Sequence, residues 1–314
     1  MKRNHALLAI TAILAAQLFV LVLLKKDRLA KPIQPIVVVA PAPTTPLPVF
    51  KTPVANITTV NPGHLSYTDI NKQLKKWEQE AQDLVDIGTY GSSSEGQNLT
   101  YIKLTNEFDK TPKPKILITA CIHGNEPWST SIIMNYIGLL LSQYDKNSLL
   151  NKEEIYFIPV ISPDSFPNSR EVDGVDPNRD WENRRSPVVR YLQEFHLKQK
   201  FIAVISGHTS GRMYLIPWGE KRELCSDNDS YQSLIGQMSQ MSNYRLLRAC
   251  EIYGRPIFGG ELDWFYKNGA FAIVCEFGTH QEIPTLEQTD SECKRTWKAF
   301  VLFLEKAPTI KLKN

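Results

Sequence analysis

Lys115-Ile-Leu-Ile-Thr-Ala-Cys-Ile122, running straight into His123-Gly124-Asn125-Glu126, is the stretch that decides the fold. A near-continuous apolar run ending in polar residues is what a strand needs when both faces of its sheet are covered. The amphipathic stretch Trp128–Tyr144 comes next, so the unit reads strand, polar turn, helix. The same alternation continues outward in both directions. Strands are predicted over Leu84–Thr89, Leu99–Leu104, Ile155–Ile161, Phe201–Ser206, Met213–Ile216 and Ala270–Phe277. Helices are predicted over Thr68–Asp83, Gln232–Ser242 and Asp290–Lys306, with another opened by Ser186-Pro187 as N-cap and first-turn proline. This alternation implies one α/β domain over residues 63–314, with a mixed, mostly parallel central sheet covered by helices on both faces.

Polar residues stand where these strands end, which is where an open α/β sheet presents its loops to a ligand crevice. His123 and Glu126, three residues apart on one turn, can both reach a single cation. Alone, the pair is also the pattern of a surface turn with a capping Glu. A second imidazole, His208, lies just beyond the strand ending at Ser206. Two histidines and one carboxylate leave a fourth position on zinc for water, the composition of a catalytic rather than a structural centre. Glu276 ends the otherwise apolar run Ala270–Cys275, and a buried ionised carboxylate is costly unless it faces a cation, a donor or a reaction. Beside an activated water it can act as a general base. Arg170 precedes Gly174-Val-Asp-Pro-Asn178-Arg179-Asp180-Trp181, in which Asn178 and Arg179 form a fork of donors suited to a carboxylate.

The chain has 314 residues, 42% hydrophobic and 22% charged, which is enough to bury a core and too apolar for overall disorder. Its formal charge of +3 comes from the N-terminus, where Lys2, Arg3, Lys25, Lys26, Arg28 and Lys31 oppose only Asp27. The remainder is slightly acidic, so the composition gives no support to a nucleic-acid partner. Ala6–Leu24 is interrupted only by Thr11 and Gln17 and approaches the roughly 20 residues of a membrane-crossing helix. A cleaved signal peptide is the competing reading. Leu14-Ala15-Ala16 is a poor cleavage site, however, and the apolar run continues past it. Residues 1–31 are therefore expected to be a membrane anchor with basic flanks. Residues 32–62 hold eight of the 20 prolines and read as an extended linker. Basic residues after the span favour retaining that flank in the cytoplasm, whereas a stiff tether suits a head working outside it. The extracytoplasmic placement is the expected one. Five cysteines are too few for a disulfide scaffold. Cys121 and Cys275 read as small core residues, and Cys225 and Cys250 are a candidate pair.

Taken in order, these pieces resemble the M14 family of zinc carboxypeptidases over about residues 68–306. Gly88–Gly96 looks like its opening strand and turn, and His123/Glu126 like its H-x-x-E ligands. Gly174–Trp181 is similar to its G-V-D-x-N-R-N element, and His208 with Tyr214–Gly219 to its third ligand and the strand that follows. Phe258–Trp264 and Glu276 resemble its specificity segment and catalytic glutamate. The resemblance implies that His123, Glu126 and His208 hold one Zn²⁺ per chain, that Glu276 activates water, and that Arg170 stabilises the oxyanion. It also implies that Asn178 and Arg179 grip a free C-terminal carboxylate, and that Leu262 lines the pocket for the terminal side chain, where a basic residue would go uncompensated. The tether is more like that of small bacterial envelope members, which implies murein-type peptides.

The sequence departs from the family pattern at several points. Gln97 stands where an Arg is common, Arg255 near where digestive members place a Tyr, with Tyr253 two residues away, and Asp180 where a second Asn is usual. Arg222 and Arg245, in what reads as a variable loop over 220–251, are candidate contacts for further substrate carboxylates. Two other readings stay open. One is a zinc deacylase of N-acyl amino acids, similar to aspartoacylase and succinylglutamate desuccinylase, which His123–Pro127 also fits. The other is a non-catalytic peptide-binding protein.

Overall fold

The computed structural model describes residues 66–145 and 148–313. The expected anchor over 1–31 and linker over 32–62 lie outside the described residues. Among the described residues, no helix is long and apolar enough to cross a membrane.

Helix α1 (Tyr67–Glu80) opens the domain, capped by Ser66, whose hydroxyl accepts the amide of Asp69 at 3.2 Å. It leads into the hairpin β1 (Val85–Ser92) and β2 (Asn98–Leu104). Next come β3 (Lys115–Ala120), α2 (Pro127–Ser142), β4 (Glu154–Ile158), α3 (Pro187–Gln199), β5 (Ala203–Thr209) and β6 (Met213–Ile216). The chain continues through α4 (Asn228–Ser242), β7 (Arg245–Arg248), the short helices α5 (Ala249–Ile252) and α6 (Glu261–Lys267), β8 (Phe271–Phe277) and α7 (Leu286–Lys306). The strands form one mixed sheet in the order β1-β2-β4-β3-β5-β8-β6-β7. The pairs β3–β4, β3–β5, β5–β8 and β6–β7 are parallel, the others antiparallel.

Side chains of β3 alternate between two apolar clusters, Ile116, Ile118 and Ala120 on one face and Leu117 on the other. The first cluster joins the sheet to α1, α2, α4 and α7, the second to α3 and α6. Both faces are thus covered, as the apolar run over 115–122 requires. Helix α2 is buried on nearly every side and apolar almost all round, the pattern of an interior helix. The next strand in the chain after β3, β4, lies on one side of it and β5 on the other. Such a reversal opens a crevice at the carboxyl ends of the strands.

Several boundaries differ from expectation for identifiable reasons. Helix α7 begins at Leu286 rather than Asp290, because Thr285 and Gln288 form a capping box upstream of the apolar stripe. Helix α4 begins at Asn228, four residues before its expected start. The span 220–251, read as a variable loop, holds all of α4, most of α5 and all of β7, a four-residue edge strand too short to show a period. His208 lies within β5, not beyond it, since that strand runs to Thr209. All five cysteines are free and buried, so Cys225 and Cys250 are not joined.

Candidate metal centre and substrate cavity

The turn after β3 is built by close contact. An added Cβ at Gly124 would stand 2.4 Å from the backbone carbon of Ser165, so only glycine lets the two loops meet here. Glu126 then falls at the N-cap of α2, yet its side chain caps nothing. Its carboxylate lies between two imidazoles, with Oε1 2.8 Å from His123 Nδ1 and Oε2 2.9 Å from His208 Nδ1. The amide of Thr209 also donates to Oε2 at 3.2 Å. The capping alternative for the His123/Glu126 pair is thereby excluded. His208 arrives from β5, and the parallel register of β5 on β8 sets it directly opposite Glu276.

One ligand atom from each of His123, Glu126 and His208 lies within 4.8 Å of the others, and all three residues are buried. The far side of each ring is backed by a carboxylate: Asp176 Oδ1 is 3.0 Å from His123 Nε2, and Glu261 Oε1 is 2.5 Å from His208 Nε2. Both Nδ1 atoms therefore turn inward toward one point. Two such nitrogens and a carboxylate are the donor set of an open zinc site, so the residues present fit the metal.

Burial works against the charge on Glu126, but the two histidines outweigh it and hold its pKa down to about 2. Burial likewise opposes the charge on Asp176, and His123 and Arg170 override it, leaving that carboxyl below its ordinary range. His208 is driven the other way: burial disfavours its charged form, while Glu126 and Glu261 raise it well above the usual histidine value. Glu276 is pushed up to about 7, first by burial and then by Glu126 and Glu261, with the two histidines opposing.

One cavity is lined by the eight residues expected to bind metal or substrate or to act in catalysis: His123, Glu126, Arg170, Asn178, Arg179, His208, Leu262 and Glu276. Arg170 donates Nε and Nη2 to Asp176 Oδ2 at 3.1 and 2.9 Å, while Nη1 stands 3.7 Å from Glu126. Asn178 accepts the Glu261 amide on Oδ1 at 2.9 Å, and its Nδ2 is 3.5 Å from His208 Nε2. Arg179 donates Nη1 to the Asn178 carbonyl at 2.5 Å. Met213, Leu215, Ile257, Leu262 and Val274 supply apolar wall.

The profile of the family described as zinc carboxypeptidase, Peptidase M14, matches residues 70–190 and 176–299. This chain belongs to that family. Metallocarboxypeptidase A of Trichophyton tonsurans is 30% identical over 129 residues, 40% of this chain and 28% of the relative, so the chain spans little more than a quarter of that protein's length. Carboxypeptidase B of Helicoverpa zea is 22% identical over 289 residues, 72% of this chain and 66% of the relative. Bovine thrombin-activatable fibrinolysis inhibitor, solved with tick carboxypeptidase inhibitor, superposes with a TM-score of 0.71 at 17% identity, covering 78% of this chain and 97% of that one. Carboxypeptidase A of Helicoverpa armigera gives a TM-score of 0.68 at 15% identity, covering 78% and 73%. At those identities the likeness is one of fold.

Within this zinc carboxypeptidase domain the departures from the family pattern find places. Gln97 donates to Asp164 at 3.0 Å and does not line the cavity. Asp180 is fully buried and accepts the Ser186 amide at 2.7 Å, anchoring the start of α3. Tyr253, not Arg255, reaches the cavity wall; Arg255 lines a neighbouring recess with Arg179. Arg222 donates to the Gly254 carbonyl, and neither it nor Arg245 lines the cavity, so they do not serve as extra carboxylate contacts there. Asp176 and Glu261 went unrecognised in the sequence. Asp176 sits inside the element already quoted, and the need of a ligand histidine for a carboxylate behind it is the signal that points to it. Glu261 opens a helix of seven residues, too short for any periodic cue.

Proposed function

We propose that this chain is a zinc-dependent carboxypeptidase that hydrolyses the last peptide bond of peptides with a free C-terminal carboxylate. The observation that carries the reading is the β5–β8 register, which sets Glu276 opposite His208 and beside the other donors in a single cavity. His123, Glu126 and His208 are the residues that would hold one Zn²⁺. Bound there, zinc supplies Lewis acidity, acidifying a water and polarising the scissile carbonyl.

Glu276 takes the proton of the attacking water and returns it to the departing amine. Its burial beside other carboxylates makes its charged form costly, which suits a group that must both accept and release a proton. Arg170 is held by Asp176 through one edge of its guanidinium, leaving Nη1 beside the centre to meet developing negative charge. Arg179 and the side-chain Nδ2 of Asn178 take the terminal carboxylate, which makes the action exopeptidic. The Leu262 wall favours an apolar side chain over a basic one at the substrate's terminus.

The substrate pool we infer is murein-type peptide outside the cytoplasm, reached by a head tethered through Ala6–Leu24 and the proline-rich segment. The apolar span and the prolines support it; Lys25, Lys26, Arg28 and Lys31 weigh against it. Mass spectrometry of products from a peptide panel that includes murein stem peptides, with and without chelator, tests the reaction. Release of single C-terminal residues that chelator abolishes is expected. Turnover that survives metal removal rejects it.

A further inference from the structure

One buried carboxylate beside the donors has no part in the reaction above. Glu261 is fully buried, and its Oε1 meets His208 Nε2 at 2.5 Å. Its other oxygen, Oε2, is buried with no hydrogen-bond partner among the described residues. The charge is thus not shared with a second donor and falls on the imidazole. Asp176 behind His123 differs in this respect, since it also accepts from Arg170 and from the Asn178 amide.

The approach of Glu261 is fixed by its surroundings. Gly259 has φ +69°, and an added Cβ there would stand 2.5 Å from the Arg179 carbonyl, so this segment lies hard against the Pro177–Arg179 turn. The Glu261 amide then donates to Asn178 Oδ1, closing the loop at the start of α6.

We propose that Glu261 is a positioning residue for the metal centre: its carboxylate accepts His208 Nε2–H, commits that ring to coordinate through Nδ1, and strengthens it as a donor. Which ring nitrogen binds a metal is set by the hydrogen bond the other one makes, and an anionic partner raises ligand basicity. The inference rests on the zinc centre proposed above, and it gives both ligand histidines a carboxylate behind them.

The test is zinc affinity by chelator competition on the full chain, comparing wild type, Glu261→Gln and Glu261→Asp. Glutamine is isosteric and still accepts the Nε2–H, so it removes the charge while keeping the contact. Glu261→Gln is expected to bind zinc about 10–100-fold more weakly, with circular dichroism unchanged. The visible bands of its cobalt(II)-substituted form are expected to shift, which a purely structural role would not cause. Glu261→Asp keeps the charge with a shorter reach and is expected to fall between the two, which keeps the test open should the glutamine variant not fold. Equal zinc affinity in all three proteins overturns the assignment and leaves the proposed reaction standing. A wild type that takes up no zinc overturns both.

Discussion

Glu126 occupies the N-cap of α2 without capping it, and that departure from helix chemistry separates a metal centre from an ordinary turn. Removing one imidazole should therefore empty the site: metal analysis is expected to give roughly one equivalent of zinc in the wild type and none in His208→Ala. Glu276→Gln is expected to keep that zinc and the fold while turnover drops about 10²–10⁴-fold, because an amide cannot take the water's proton. Peptide hydrolysis at the wild-type rate by this variant would remove Glu276 from the mechanism. His123, Glu126, His208 and Glu276 were legible in the sequence because each is a polar residue at the end of an apolar strand, where burial demands a reason. Glu261 was not, because its importance comes from contact with a histidine 53 positions away, across a loop that only Gly259 allows to close.

Among elements, the strands that run through the middle of the sheet were legible because an apolar run of five or more residues has few alternatives. Boundaries set by side-chain caps, such as Thr285–Gln288, and a four-residue edge strand such as β7 were not, since neither leaves a periodic trace. One turn carries a pH-dependent stability effect. Glu153, just before β4, is buried with Oε2 unpartnered among the described residues, and its pKa is pushed up to about 8, first by burial and then by Glu305 of α7. The unfolded chain loses that proton near the ordinary glutamate value of 4.5 while the folded one keeps it to about 8. Folded protein therefore binds more protons across this window, and stability falls as pH rises through it before levelling off. At about 1.4 kcal/mol per unit of pKa difference the loss is about 5 kcal/mol at most. Glu153→Gln is expected to flatten this slope in urea unfolding between pH 5 and 8, and to leave the variant more stable than wild type at pH 8. Parallel pH profiles for the two proteins would contradict the assignment.

For the whole molecule, the mixed sheet with both faces covered follows from the alternation of apolar strands and amphipathic helices, and the order of polar pieces along the chain predicts which loops converge. Placement in the cell rests on the N-terminal 62 residues, which lie outside the described residues. If the head is tethered beyond the inner membrane, protease added to spheroplasts should digest it without lysis; digestion only after lysis would place it inside and withdraw the murein substrates. The central claim, carboxypeptidase action through a grip on the substrate's terminus, has a more direct test. One peptide is supplied as the free acid and as the C-terminal amide, and the products are followed by mass. Arg179 and Asn178 would lose a charged partner with the amide, a loss of about 1.5–3 kcal/mol or roughly 10–150-fold in rate. The account predicts removal of one residue from the free acid and slower turnover of the amide by that factor; equal rates, or cleavage at an internal bond, would contradict it.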